Sequence, residues 1–414
     1  LYATALLLSR GVETAEQLAT QIEHLDQQIG RVAFEATQRP KLKDAAAVMQ
    51  SIVPPSSGKA LPAPVERTQA LGFDKHNLGK PQHMAKLINW TLHEIFAQYP
   101  TAVMMGEDVG KKGGVYGVTQ QLVQQFGPNR VINTLLDEQS ILGLGIGAAQ
   151  QGLLAMPEIQ FLAYVHNAED QIRGEAATLP FFSNGQYQNP MVVRIAGLAY
   201  QRGFGGHFHN DNSFAVFRDI PGLILMCPSN GYDAAVLLRQ AVELAYRDNR
   251  LVVFLEPIAL YMTRDLHEAG DNLWTRELPA PDLPSPDFGT PAVVEPLAGA
   301  KADVCIISYA NGFYLSLQAQ KELAAQGIQA RVLDLRYLVP LHVDKIAQAI
   351  GDCRNVLIVD ECRKRGSLSE ELFTSLHEHQ PGRFVIQRLC AQDSFIPLGA
   401  AAYHVLPSKA LIVE

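Results

Sequence analysis

Short apolar runs alternate with helical or loop segments along this chain, and that alternation limits the folds that it can adopt. The runs at residues 102–105, 191–195, 223–226 and 251–255 are almost wholly apolar. Strands that are apolar along their full length are typical of parallel sheets covered on both faces, because every side chain is then buried. The pattern predicts an open, mostly parallel α/β sheet.

A second alternation follows a proline-rich connector. Its apolar runs lie at residues 304–309, 330–335 and 356–359, with helical periodicity at 313–325 and 343–350. A compact set of alternating strands and helices predicts another open α/β domain. The expected fold class is therefore α/β, with two open, mostly parallel-sheet domains preceded by a helical segment and a linker.

The N-terminal residues have a different pattern from the two predicted α/β domains. Apolar side chains recur at steps of three and four between residues 14 and 37, which predicts an amphipathic helix. Prolines then accumulate between residues 53 and 64, where the chain has little capacity to pack. The predicted division is a helical tail at 1–52, a linker at 53–82, an α/β domain at 83–275, a connector at 276–300 and a C-terminal α/β domain at 301–414.

Composition excludes several classes of protein. The 414 residues carry 34 lysines and arginines against 42 acidic residues, a net charge of -8, which disfavours a nucleic-acid partner. The five cysteines form no C-x-x-C pair and fit a reducing compartment, the cytoplasm or a mitochondrial matrix. No apolar run reaches membrane-spanning length, so we expect a soluble protein without a membrane partner. The chain begins at Leu1 instead of a methionine, so we expect its true start to lie upstream.

One carboxylate, Glu138, lies between a strand-like run at residues 131–134 and a glycine-dotted helical segment. Glycines at 143, 145 and 147 each cost roughly 1 kcal/mol against alanine inside a helix, so together they need a packing reason. The run GLGIGAA lies inside the predicted helix rather than directly after a strand, which favours tight packing against another subunit over a dinucleotide site. By position alone, Glu138 is either a cap-region acid or a site carboxylate.

A second candidate site has the spacing H-x-H-x-D. His207, His209 and Asp211 could place two imidazoles and a carboxylate on one face of an extended segment as metal ligands. A metal-dependent hydrolase is the alternative that this spacing supports. Histidines satisfied in a polar loop are the other interpretation, and no second histidine-rich cluster supplies further ligands.

A third set of polar residues follows the predicted strands. Glu138, Gln160, Tyr164 and His209 all lie at strand ends or in the loops after them. Open parallel sheets bind their ligands at this edge. The sequence therefore allows these four side chains to form one site.

Four segments carry a further signal. They read GEDVGKKGGVYGVTQQLVQQFG at 106–127, LLDEQSILGLGIGAA at 135–149, EIQFLAYVHNAEDQI at 158–172 and HNDNSFAVFRDIPGL at 209–223. Together they resemble the beta subunit of thiamine-diphosphate-dependent 2-oxo acid dehydrogenases, with its transketolase-like pyrimidine-binding and C-terminal domains. The resemblance extends from Met84 to the end. Residues 1–55 resemble the tail of that family's alpha subunit, which implies that the chain is the C-terminal part of a fused alpha–beta polypeptide.

The resemblance implies an activity. Such enzymes decarboxylate a 2-oxo acid, here pyruvate or a branched-chain acid, on thiamine diphosphate and pass the acyl group to a lipoyl-bearing acyltransferase. Glu138 matches the carboxylate that hydrogen-bonds the aminopyrimidine ring, and His209 matches a histidine that supplies a proton during acyl transfer. The remaining positions matched to cofactor contacts are Tyr164, Gln160, Leu136 and Glu107.

The resemblance also implies partners. In this family the alpha half holds magnesium and the cofactor's diphosphate through a Gly-Asp-Gly motif, which these 414 residues lack. We therefore expect half a site, completed by the alpha-type half in a homodimer or an alpha2beta2-like assembly. A noncatalytic assembly module stays open as an alternative. Residues 210–212 and Asp219 depart from the family pattern, which leaves substrate choice and lipoyl docking less defined than cofactor use.

Overall fold

The computed structural model describes residues 2–198 and 206–414. Backbone contacts divide the chain into two compact units, Leu1–Gln50 and Ser51–Glu414. The first unit contains helices α1 (Tyr2–Ser9), α2 (Ala15–Thr37) and α3 (Ala45–Met49). A capping box starts α2, since Thr14 Oγ1 accepts from the backbone N–H of Gln17 and Gln17 Oε1 accepts from that of Thr14. The helix predicted over residues 14–37 is confirmed.

Within the described residues, the second unit builds two sheets from twelve strands. In chain order, the strands are β1 (Ala102–Gly106), β2 (Val131–Asn133), β3 (Leu154–Ile159), β4 (Met191–Gly197), β5 (Ile224–Met226), β6 (Leu251–Pro257), β7 (Ala292–Val294), β8 (Val304–Ser308), β9 (Ala330–Asp334), β10 (Tyr337–Val339), β11 (Asn355–Arg363) and β12 (Val385–Ala391). The first sheet has the order β10-β5-β6-β4-β3-β1-β2 and the second β12-β11-β8-β9-β7. Pairing is parallel except at β10 and β7. Two open, mostly parallel α/β sheets are confirmed.

Helices cover both sheets. In chain order they are α4 (Arg67–Ala70), α5 (Met84–Gln98), α6 (Leu122–Phe126), α7 (Glu138–Gln150), α8 (Leu179–Phe182), α9 (Gly231–Asp248), α10 (Ile258–Tyr261), α11 (Ala310–Ala325), α12 (Val343–Ile350), α13 (Leu368–His379) and α14 (Lys409–Val413). The glycine-dotted segment is helix α7, as predicted. No helix in the described ranges is both long and apolar enough to cross a bilayer.

Alternate residues of the strands feed two hydrophobic layers. In β1, Val103 and Met105 pack in the layer that holds Ile141 of α7, while Met104 packs on the opposite face with Leu92 of α5 and with α9. A strand buried on both faces must be apolar at every position, because successive side chains point to opposite sides. The continuous apolar runs in the sequence therefore have a direct structural cause.

Two strands of the first sheet lie outside the sequence-based prediction. Strand β3 contains Pro157, which lacks a backbone N–H and argues against a central strand, yet β3 pairs with both β1 and β4. Strand β10 lies in the predicted C-terminal domain but pairs antiparallel with β5, with Tyr337 opposite Met226. The first sheet thus takes an edge strand from the last segment of the chain.

A buried ionic cluster joins three neighbouring strands. Arg194 of β4 donates to both oxygens of Glu256 on β6, at 2.7 and 3.0 Å, and to Glu158 on β3 at 2.6 Å. Tyr261 donates its hydroxyl to Glu256 at 2.5 Å. Arginine's planar fork suits such a bidentate contact, and the two carboxylates would lack a cationic partner without it. The cluster therefore fixes β3, β4 and β6 at the ends that carry the candidate site.

We predict that Arg194→Leu lowers the free energy of unfolding by about 3–5 kcal/mol, because it leaves two buried carboxylates without their cation. Urea denaturation followed by circular dichroism measures the change. Arg31→Leu is the matched control, since Arg31 forms an exposed pair with Glu35 at 3.9 Å and should change stability by less than about 1 kcal/mol. Equal effects of the two substitutions would contradict a structural role for the cluster.

Candidate active site

The candidate residues follow four strands that are neighbours in the first sheet. Glu107 follows β1, Glu138 follows β2, Gln160 and Tyr164 follow β3, and His209 follows β4. Because β2, β1, β3 and β4 are mutually parallel, their carboxyl ends share one edge of the sheet. Ligands of open α/β sheets bind at this edge.

Glu138 is the first residue of α7 and is buried, with 4% of its surface exposed. Asp137 before it has extended backbone, which turns the chain from the loop into the helix. The positive end of the helix dipole stabilises a carboxylate at this position. One oxygen, Oε2, accepts a hydrogen bond from Asn167 Nδ2 at 3.3 Å.

Glu107 and Tyr164 belong to the same electrostatic cluster as Glu138. Burial raises the pKa of Glu107, and the charges of Asp108 and Glu138 raise it further, while Lys112 opposes them. Burial also raises the pKa of Tyr164, to which the charges of Glu107 and Glu138 add. The loops after β1, β2 and β3 therefore converge on one acidic, partly buried region.

His209 joins this region through Tyr164. Its Nε2 lies 3.0 Å from the Tyr164 hydroxyl, within hydrogen-bond distance. The His209 ring also meets the Phe161 ring edge to face, with 4.6 Å between centroids. The rings of Phe161, Tyr164 and His209 therefore form one aromatic cluster, and its Tyr164 lies beside the carboxylates.

Gln160 and Leu136 lie outside the cluster formed by Glu138, Tyr164 and His209. Gln160 Nε2 donates to Asp108 at 3.4 Å, and its side chain lines a recess with Arg194 and Tyr116. Leu136 is 63% exposed and lies two residues before the buried Glu138. In this chain, Leu136 thus presents an apolar side chain to solvent beside the candidate site.

The outer face of α7 continues this exposed apolar surface. Leu135 and Leu144 are exposed, and a Cβ added at Gly143 or Gly147 would meet nothing within 4 Å. Gly145 differs, because a Cβ there would lie 3.2 Å from the Pro157 ring of β3. One glycine therefore lets α7 pack on the sheet, and the other two leave bare helix backbone facing outward.

The structure does not support the metal-ligand interpretation of the H-x-H-x-D segment. His209 is directed to Tyr164, whereas His207 contacts the rings of Phe208 and Phe395. Asp211 pairs with Arg363 at 3.2 Å. Among the residues that the structure describes, no group of three or more histidine, cysteine or acidic side chains could hold a metal ion. His207, His209 and Asp211 therefore do not form the metal site that a metal-dependent hydrolase would require.

Two contact residues were not singled out from the sequence. Phe161 lies within the aromatic run after β3, which offered a signal, whereas Asn167 stands 29 positions from Glu138 and offered none. Their contacts arise only when the loops after β2, β3 and β4 meet.

The arrangement can hold a flat, nitrogen-containing ring. A carboxyl oxygen can accept or donate one hydrogen bond to such a ring, and the neighbouring aromatic side chains can pack on its faces or edges. Burial of the carboxyl group strengthens that hydrogen bond, because water does not compete with it. The residues present on this edge therefore fit one half of a heteroaromatic ligand site.

Comparisons with known proteins point to one family. The model for the transketolase pyrimidine-binding domain matches residues 80–263, and the model for the transketolase C-terminal domain matches residues 295–410. The 2-oxoisovalerate dehydrogenase beta subunit of Bacillus subtilis is 35% identical over 293 residues, which cover 70% of this chain and 83% of that protein. The pyruvate dehydrogenase E1 beta subunit of Staphylococcus epidermidis is 30% identical over 338 residues, covering 80% and 96% respectively.

A solved structure has the same fold. A split-gene transketolase in an inactive beta4 tetramer superimposes with a TM-score of 0.62 at 18% identity, covering 80% of this chain and 96% of that one. At that level of identity the likeness concerns the fold.

Proposed function

We propose that the candidate site, at the carboxyl ends of the strands of the first sheet, holds the pyrimidine half of thiamine diphosphate. The reason is that this chain belongs to the family of thiamine-diphosphate-dependent 2-oxo acid dehydrogenase beta subunits. The enzyme decarboxylates a 2-oxo acid of the pyruvate or branched-chain type. The observation that carries the proposal is the buried Glu138, which begins a helix beside the aromatic side chain of Tyr164.

Thiamine diphosphate, when bound, supplies the carbon nucleophile that attacks the 2-oxo group and stabilises the negative charge left by loss of carbon dioxide. Glu138 would hold or exchange a proton with the ring nitrogen of the aminopyrimidine. Tyr164 and Leu136 would contact the ring, and Glu107 and Gln160 would support its polar edge. We propose that these four residues orient the cofactor and take no part in breaking bonds.

Magnesium and the cofactor's diphosphate would be held mainly by the alpha-type half. The Gly-Asp-Gly motif used for this purpose does not occur in the 414 residues. The chain works with an alpha-subunit partner in a multi-subunit assembly. We propose that the exposed Leu135, Leu136 and Leu144, with the bare glycines of α7, form part of that contact.

His209 is our candidate for the second chemical step. We propose that the acyl group passes to a lipoyl arm on a partner acyltransferase, and that this arm needs a proton as its disulfide opens. An imidazole is suited to this transfer because its unperturbed pKa lies near neutrality. The hydrogen-bond contact with the Tyr164 hydroxyl orients the His209 ring at the site.

We predict that Glu138→Gln lowers the rate of 2-oxo acid consumption at least about 100-fold in enzyme assembled with its alpha half, because an amide cannot hold and release the proton. Asp137→Asn is the matched control, since it makes the same change one residue earlier at an exposed cap where asparagine serves equally well. Calorimetric titration with thiamine diphosphate and magnesium checks that the cofactor still binds. Wild-type turnover in Glu138→Gln would refute the assignment, and no turnover in the wild-type assembly would favour the noncatalytic assembly module.

We predict that His209→Asn separates the two steps. Acyl transfer to lipoyl-lysine should fall by about 100-fold, while decarboxylation measured with a soluble dye as oxidant should fall far less, since the dye requires no proton transfer to a disulfide. His207→Asn is the control, because His207 is exposed and contacts Phe208 and Phe395 instead of the site. An equal loss in both assays would overturn the proposed role.

We predict that Gly147→Leu weakens assembly without unfolding the chain. Its side chain has open space in the isolated chain, and replacing a helical glycine should maintain or raise stability by up to about 1 kcal/mol. Gly145→Leu should instead lower stability by about 1–3 kcal/mol, because it collides with Pro157. Thermal unfolding of the isolated chain and mass measurement after mixing with the alpha half separate the two effects. Unchanged assembly in Gly147→Leu would place the interface elsewhere.

A further inference from the structure

The exposed side chain of Asn167 contacts the carboxyl group of Glu138. It ends the short 3-10 turn Leu162–Asn167 that follows β3, whereas Glu138 begins the helix that follows β2. Asn167 Nδ2 donates to Glu138 Oε2 at 3.3 Å, and its side chain is exposed while that of Glu138 is buried. The hydrogen bond therefore crosses between two loops at the mouth of the site.

This bond makes the two oxygens of Glu138 unequal. The carbonyl oxygen of a protonated carboxyl group accepts an N–H better than its hydroxyl oxygen does, so the bond to Oε2 favours a proton on Oε1. The same bond restricts rotation of the carboxyl group about its terminal torsion, which is otherwise broad. The geometry assigns Oε1 as the oxygen available for a ligand.

The chemical type of the donor also matters. Glu107 and Tyr164 are the groups whose pKa the charge of Glu138 raises, and neither can bring a positive charge. Lys112 opposes the rise in the pKa of Glu107, and its ammonium group pairs with Asp108 at 2.5 Å. A lysine or arginine at position 167 would hold a charged carboxylate in a strong ion pair. A neutral amide forms a weaker bond, which orients the carboxyl group and still allows a proton to bind and leave.

We propose that Asn167 is a positioning residue, which fixes Glu138 so that Oε1 faces the aminopyrimidine ring and carries the exchanging proton. The inference rests on the proposed function of Glu138 and adds a residue that the resemblance to the family does not include. Its role is specific to the direction of one hydrogen bond, so it can be tested by reversing that bond.

Asn167→Asp replaces the donor by an acceptor of nearly identical shape. In the enzyme assembled with its alpha half, thiamine diphosphate and magnesium, we expect Asn167→Asp to slow hydrogen–deuterium exchange at C2 of the bound cofactor by at least about fivefold, the rate equivalent of one hydrogen bond. Proton NMR of quenched samples measures that exchange. Asn167→Gln, which keeps the amide donor in a position with room for a longer side chain, should recover most of the rate. Asn184→Asp, an exposed asparagine after α8, is the charge-matched control.

Cofactor affinity and the unfolding midpoint are measured on the same samples. The inference is supported if exchange slows in Asn167→Asp, recovers in Asn167→Gln, and leaves the unfolding midpoint unchanged. It is overturned if Asn167→Asp exchanges at the wild-type rate, or if both variants lose exchange together with stability. Failure of the wild-type assembly to bind thiamine diphosphate would instead refute the proposed function, and this inference with it.

Discussion

Parallel pairing of β2, β1, β3 and β4 is the constraint on which the site depends. Each crossover must bring the chain back to the same starting edge, so the carboxyl ends of all four strands lie together. Loops that are far apart in sequence are then neighbours in space. The buried Arg194 cluster adds to this constraint, because it ties β3, β4 and β6 together just below the loops.

One side of the candidate site is buried by the chain itself, and the other side is exposed to solvent. Glu138 is buried by its own chain, and His209 and Tyr164 contact each other beside it. Leu136 and the outer glycines of α7 face solvent, although apolar side chains and bare backbone are costly to leave uncovered. This asymmetry agrees with a cofactor site shared between two protein surfaces, one of which belongs to the alpha-type half.

Much of the fold followed from the sequence because its signals are local. The start of α2 depends on Thr14 and Gln17, three residues apart, and strands such as β6 are apolar at nearly every position. Strand β3 was missed because Pro157 breaks the local rule, and the fold compensates by pairing it on both sides. Strand β10 was missed because its partner β5 lies in the other predicted α/β domain.

The sequence by itself determined the fold class through its periodicity, and its matched segments predicted a half-site with Glu138 as the carboxylate, since both kinds of signal are readable along the chain. Only the tertiary structure decided which side chains touch: that His209 meets Tyr164, that Asp211 turns to Arg363, and that Asn167 meets Glu138. Hydrogen bonds depend on distances of a few ångströms between loops, and those distances are fixed by strand order and helix packing, which no local pattern encodes.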